Sequence, residues 1–211
     1  MTAALVAVAA VFAGNPTKEH IARTAAGNAQ ARAEIIVKKD LSRGWAGGPK
    51  KPNLSSSMHC SSYKPKQSDL VLIGAAESTW QNPPFLIDSE AQVLRTAKMV
   101  RLDWQRTVMS PKVMPCLRQS LAKAGGKGAK LVSLHVLPLP HVAPYARAYR
   151  VVLHVPTGQG KATVAIDFEI AVFGKGRNEL TLTITGPVAT KTLLRGEELR
   201  LARKLGKRVR N

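Results

Sequence analysis

Acidic, basic and hydroxyl side chains alternate with apolar ones along the strands predicted for the second half of the chain. In the predicted strand 164–173, Asp167 and Glu169 lie two positions apart, so both belong to one face of a β-sheet. In the strand before it, Arg150 and His154 share a face for the same reason. If these strands are neighbours, acids and bases meet on one surface. Such a surface is either a solvated sheet face or the floor of a polar cleft.

Hydroxyl groups extend this candidate site. Thr181 and Thr183 alternate with apolar residues in the predicted strand 180–185. We expect these threonines to lie beside Asp167 and Glu169 and to hydrogen-bond a polar ligand whose identity the sequence does not give. A register shift of one residue would move Arg150 and His154 to the opposite face.

Catalysis and metal binding have little support in the sequence. Asp167 and Glu169 are the one candidate acid/base pair, since hydrolysis needs one protonated and one ionised carboxyl group. No GxSxG motif accompanies them, and the glycine turns at 158–161 and 174–177 lack the pattern of a P-loop. The five histidines show no HExxH spacing. We therefore predict a protein that is not an enzyme and has no cofactor and no metal; a hydrolase is the alternative.

The charge favours an anionic partner. The chain has 32 Lys and Arg against 13 Asp and Glu, which gives a formal net charge of +19. Electrostatic attraction to wall polymer or acidic lipid is a second candidate function, including peripheral contact with a membrane. Nucleic acid is less favoured, because only 5% of the residues are aromatic and could stack on bases. The candidate polyanion-binding residues lie in the predicted last helix: Arg200, Arg203, Lys204, Lys207 and Arg208.

The beginning of the chain and its cysteines favour export. Residues 3–13 form an uncharged apolar segment that is too short to span a bilayer and is typical of a signal peptide cleaved before Gly14. Residues 14–27 are predicted to be a linker. Cys60 and Cys116 are the two cysteines, and an even number in an exported protein predicts one disulfide; two free buried thiols are the alternative. In the chain-entropy model, such a bridge contributes roughly 4 kcal/mol.

The remaining residues, 28–211, are predicted to form one α+β domain. Helices are expected at 28–39, from Ser89 to about 108, from about 115 to 124, and at 192–209. A long irregular segment, 40–67, follows the first helix. Strands are expected at 70–73, 131–137, 148–155, 164–173 and 180–185. Together these elements predict an antiparallel sheet of about five strands with helices packed on it, stabilised by one disulfide.

Several short motifs resemble a known family. They are DLSRGW at 40–45, LVLIGAAES at 70–78, a central segment 89–116 that ends in cysteine, and Gly176-Arg177 before the last strand. This pattern is similar to the extracellular sensor domain of actinobacterial Ser/Thr kinases and to secreted relatives that stand alone, over about residues 28–208. The resemblance implies an α+β module with a ligand-binding cleft. The family carries two disulfides, whereas this chain has cysteines for one.

Overall fold

The computed structural model describes residues 19–54, 62–124, 128–157 and 162–209. These residues form eight strands and four helices. The strands are β1 (His20–Ile21), β2 (Ala46–Lys50), β3 (Val71–Asn82), β4 (Phe85–Leu94), β5 (Lys130–Leu137), β6 (Tyr145–Pro156), β7 (Thr163–Lys175) and β8 (Asn178–Pro187). The helices are α1 (Ala25–Glu34), α2 (Ala97–Thr107), α3 (Val113–Ala124) and α4 (Lys191–Arg208).

All eight strands belong to one mixed sheet. Its order is β1-β3-β4-β8-β7-β6-β5, and β2 pairs with the same edge of β3 as β1 does, farther along the strand. The pairing of β1 with β3 is parallel, and the other pairs are antiparallel.

Helices cover both faces of the sheet. On one face, α1 and α4 pack over a core that includes Trp80, Ile87, Phe173 and Leu182. On the other face, α2 and α3 pack over an apolar core formed mainly by β5, β6 and β7. The part of that second face formed by β3, β4 and β8 is polar, and it contains the candidate site described below.

A pair of glycines lets α1 approach the sheet closely. A Cβ atom added to Gly27 would lie 2.2 Å from the carbonyl oxygen of Ile73, and one added to Gly74 would lie 2.1 Å from the backbone of Gly27. Any larger residue at either position would push the helix away from β3. The hydroxyl of Thr24 caps this helix by accepting the N–H of Gly27 at 2.9 Å.

The predicted fold class is confirmed, and four of the predicted strands and the last helix are found close to their expected positions. The expected helix from Ser89 is wrong: residues 85–94 form strand β4, and the helix begins only at Ala97. The sheet is therefore larger than predicted and is not purely antiparallel. The first helix begins at Ala25, inside the segment predicted to be a linker, and the irregular segment contains strand β2.

Two predictions lie partly or wholly outside the described residues. Cys116 is buried in α3, but Cys60 is not among the described residues, so the disulfide stays a prediction. The signal-like segment 1–13 also lies outside them.

Candidate functional site

A block of polar side chains covers the part of the sheet formed by β3, β4 and β8. The register places Glu77 opposite Glu90, and Glu90 opposite Thr181. The next row is centred on Asp88, which has a threonine opposite it on each side. We call this surface the carboxylate face; its strand residues are Glu77, Thr79, Asp88, Glu90, Gln92, Glu179, Thr181 and Thr183.

The alternation of β4 produces this surface. Ile87, Ala91 and Val93 are fully buried in the core under α1 and α4, so the residues between them must point to the opposite face. Ser89 points to the core as well, where its hydroxyl accepts the backbone N–H of Ile36 at 3.2 Å. The intervening residues of β4 on the carboxylate face are Asp88, Glu90 and Gln92.

One lysine neutralises one side of the carboxylate face. The ammonium of Lys50 on β2 lies 2.9 Å from Glu77 Oε1 and 3.4 Å from Asp88 Oδ1. Thr79 donates its hydroxyl to Asp88 Oδ1 at 2.5 Å, and the backbone N–H of Asn53 donates to Glu77 Oε2 at 3.0 Å. Burial nevertheless raises the pKa of Asp88, although Thr79 and Lys50 act in the opposite direction.

Four further carboxyl groups have no such cation. They are Glu19 before β1, Glu90 on β4, Asp103 on α2 and Glu179 on β8; we call them the carboxylate cluster. Within the described part of the chain, no lysine or arginine forms an ion pair with any of the four.

The hydrogen-bond partners of Glu90 and Asp103 include neutral amides. Gln92 donates to Glu90 Oε1 at 2.8 Å, and Gln67 donates to Asp103 Oδ1 at 2.9 Å. Asp103 and Glu179 are also neighbours, and their proximity adds to the burial that raises the pKa of Glu179.

Burial and mutual repulsion make this cluster hold protons. Burial, with a contribution from Asp103, raises the pKa of Glu19 to about 7. Burial also raises the pKa of Glu90 to about 7, and repulsion from Glu77 and Glu19 adds to it. The pKa of Glu179 is raised well above its ordinary range, first by burial and then by Asp103. Near neutral pH, Glu19 and Glu90 are thus poised between their neutral and charged forms, and burial favours the neutral form of Glu179.

Two buried oxygen atoms beside these carboxyl groups have no hydrogen-bond partner. Thr183, which is 1% exposed, has an unpaired Oγ1 on the carboxylate face, and Gln67, which is 0% exposed, has an unpaired Oε1 next to Asp103. Buried polar atoms are normally satisfied, and an unmet one costs roughly 1–3 kcal/mol. Both atoms can accept a hydrogen bond from a bound group.

The acids and bases predicted from the sequence meet elsewhere, on the opposite face beneath α4. Arg150 lies opposite Glu169 in the register, and its Nε and Nη2 donate to Asp167 at 2.9 and 2.6 Å. Arg195 of α4 lies 4.0 Å from Glu169 Oε2 and also pairs with Glu198. We call these five residues the arginine–carboxylate network.

This network is part of the interior and not an open cleft. Asp167 is 0% exposed and Glu169 is 1% exposed. Burial, followed by repulsion from Glu198, raises the pKa of Glu169 to about 8. Both carboxyl groups are held by arginine side chains inside the chain, and the hydrolase alternative stays a prediction.

The other predicted members of the polar cleft are not in this network. His154 lies opposite Ala165 and is exposed. The expectation that Thr181 and Thr183 lie beside Asp167 is wrong, because the register pairs them with Val172 and Ile170, whose side chains face α2 and α3. Both threonines instead belong to the carboxylate face.

Three of the five predicted polyanion-binding residues are engaged within the chain. Arg200 donates to Glu197 at 2.7 Å and to the carbonyl of Asp40 at 3.0 Å. Lys204 lies 3.4 Å from Asp40 Oδ1, and Arg208 pairs with the same carboxylate. These contacts attach α4 to the turn after α1. The two exposed members, Arg203 and Lys207, have no such contact among the described residues.

A concavity of about 190 Å³ lies between α4 and the β3–β4 turn. Its lining is mainly apolar, with Trp45, Phe85, Ile184 and Leu194 beside Glu197. It has no unpaired buried polar atom among its described lining residues, so its chemistry gives less indication of a ligand than that of the carboxylate face.

Searches of the whole chain give no relative. Comparison with protein-family models, with curated proteins and with solved structures found no match. The resemblance to kinase sensor domains therefore remains a prediction. Among the described residues, no three His, Cys, Asp or Glu side chains are arranged to hold a metal ion, and no helix has the length and apolarity to cross a bilayer.

Proposed function

We propose that this protein is an exported, non-catalytic ligand-binding module and that the carboxylate face is its ligand site. The observation that supports this proposal best is the carboxylate cluster itself. Four half-buried or buried carboxyl groups lie together without a paired cation in the described chain, although the protein has more than twice as many basic as acidic residues.

Such a cluster is unfavourable for the fold alone. Like charges repel, and burial penalises their ionised forms, which the raised pKa values of Glu19, Glu90 and Glu179 express. Glutamine at Glu90 or Glu179 would keep hydrogen bonding and remove the repulsion. Groups that destabilise a fold in this way concentrate at functional sites. The unpaired oxygen atoms of Gln67 and Thr183 support the same interpretation.

Export and a disulfide between Cys60 and Cys116 are part of this proposal. Support for them comes from the apolar segment 3–13 and from the even number of cysteines. In addition, no described cysteine is free. The backbone N–H of Asn53 donates to Glu77 of the carboxylate face. A bridge between Cys60 and Cys116 would connect the chain that follows Asn53 to helix α3.

A ligand screen tests this assignment of the site. We would measure melting temperatures with a panel of amines, amino acids, sugars, wall fragments and lipid headgroups, for the wild type and for the variant Glu90→Gln/Glu179→Gln. The expected result is at least one compound that raises the melting temperature of the wild type and not that of the variant. If every stabilising compound acts equally on both proteins, the carboxylate face is not the ligand site.

A further inference from the structure

We propose that the carboxylate face binds a small organic polyamine, with the carboxylate cluster as the site of its ammonium groups. This inference rests on the proposed function, since it names the class of ligand for the same site.

The charged groups around the carboxylate cluster favour a cationic ligand. Lys50 is shared between Glu77 and Asp88. Arg106 is close to Asp103, but its guanidinium group donates to Asp69 at 2.7 and 3.0 Å. Lys50 and Arg106 act on Glu90 and Asp103 through their charge, but among the described residues neither cation forms an ion pair with a member of the carboxylate cluster. Because the whole chain carries +19, it repels small cations in general. The attraction that holds a bound amine must therefore come from the carboxylate cluster.

The hydrogen-bonding groups favour an ammonium in particular. An ammonium group offers three donors and no acceptor. The carboxylates accept, and so do the two unpaired oxygen atoms of Gln67 and Thr183. A metal ion fits less well, because no three described acidic or histidine side chains are arranged to coordinate one. Ammonium groups need no such fixed coordination sphere, and hydrogen bonds between charged groups are about twice as strong as neutral ones.

The spacing favours two or more ammonium groups joined by a short alkyl chain. Glu90 lies opposite Thr181, so Glu179 is its diagonal neighbour across the strands. Diagonal neighbours in a sheet are about 7–8 Å apart. A diamine of a few methylene groups can place one nitrogen near each acid. Ala75 lies on the same face, opposite Gln92, and offers an apolar contact for the methylene groups.

Binding of a polyamine should displace protons. The group facing the ligand would comprise Glu19, Lys50, Glu77, Asp88, Glu90, Asp103, Arg106 and Glu179. An ammonium group favours the ionised form of each acid, and Glu19 and Glu90 titrate near pH 7 in its absence. Affinity should therefore rise as the pH rises from 6 to 8, and protons should be released into the buffer.

Calorimetric titration of the full chain with spermidine and putrescine tests this inference. For the wild type at pH 8 we expect saturable binding, release of protons when two buffers of different ionisation enthalpy are compared, and affinity about tenfold weaker at pH 6. The variant Glu90→Gln/Glu179→Gln should bind at least about tenfold more weakly, because one ionic hydrogen bond is worth at least that factor. The matched control is Glu197→Gln, an acid of α4 that pairs with Arg200 away from this face; its affinity should equal that of the wild type.

Failure of this inference can be distinguished from failure of the proposed function. If neither amine binds, or if both bind the double variant as tightly as the wild type, the inference is overturned. The proposed function stands in that case if the screen finds another compound that the double variant no longer recognises. It fails as well if no compound in the screen distinguishes the two proteins.

Discussion

Replacement of Arg150 by methionine should destabilise the protein severely. Its side chain makes three hydrogen bonds to Asp167, at 3.0, 2.9 and 2.6 Å, and lies 3.6 Å from Glu169. Asp167 is 0% exposed, so the variant leaves a charge in the interior without its partner. Removal of one member of a buried ion pair costs about 3–5 kcal/mol. We expect a loss of that size in the free energy of unfolding at pH 7, measured by urea denaturation.

Two further variants determine whether the loss comes from the unpaired charge. Arg150→Met/Asp167→Leu removes both partners, and because a buried pair is often replaced by apolar residues at little cost, most of the stability should return. Arg203→Met removes an exposed arginine of α4 and should change stability by less than about 0.5 kcal/mol. The reasoning is refuted if Arg150→Met costs less than about 1 kcal/mol, or if the double variant is no more stable than the single one.

Three other predictions concern pH, the disulfide and export. Burial, ahead of its charged neighbours, sets the pKa of Glu169 at about 8 and that of Glu198 at about 7, above the ordinary 4.5. The folded chain therefore binds these protons more tightly than the unfolded one, and the free energy of unfolding should fall as the pH rises from about 4.5 to 8. The variant Glu198→Gln should show a weaker dependence on pH. A wild type that is more stable at pH 8 than at pH 5 would contradict the raised pKa values of these two residues. Cys60→Ser should cost roughly 2–4 kcal/mol under oxidising conditions, whereas unchanged denaturation curves would argue against the bridge. N-terminal sequencing of secreted protein should begin near Gly14, and an intact Met1 on protein found only in the cytosol would exclude export.

Local patterns in the sequence were sufficient for much of the second half of the fold. Strands β5 to β8 consist of runs rich in β-branched and aliphatic residues with short links, and these patterns predict antiparallel neighbours without information from the rest of the chain. The last helix was equally accessible, because Leu201, Ala202 and Leu205 recur on one side and are all buried.

Residues 85–94 show where a local signal was misleading. Ser89 and Gln92 have the spacing of a capping box, and apolar residues follow at helical steps, so a helix was expected there. The same segment also alternates from Ile87 to Val93, with Ser89 as the one polar residue on the apolar side, which is the pattern of a strand with one buried face. Pairing with β3 over ten residues and with β8 over eight favours the strand over the helix, and that pairing is a tertiary effect.

The carboxylate face was missed for the same reason. The helix predicted from Ser89 includes Glu90 and Gln92, and the contacts that join Glu19, Asp103 and Glu179 connect parts of the chain far apart in sequence. The side of the sheet on which Thr181 and Thr183 lie was also mispredicted. The side on which these threonines lie is set by the register between β7 and β8, which the two-residue turn between Lys175 and Asn178 fixes. In this register Thr181 and Thr183 lie opposite Val172 and Ile170, and not beside Asp167 and Glu169.

The most direct test of the central claim is the melting temperature of the wild type and of Glu90→Gln/Glu179→Gln at pH 8, each with and without spermidine. The account predicts that the variant melts higher than the wild type without ligand, because two carboxyl groups of a repelling cluster have become neutral. It also predicts that spermidine raises the melting temperature of the wild type alone. A variant that melts lower than the wild type, or that responds to spermidine as strongly, would contradict the claim that these carboxyl groups are kept for binding a ligand.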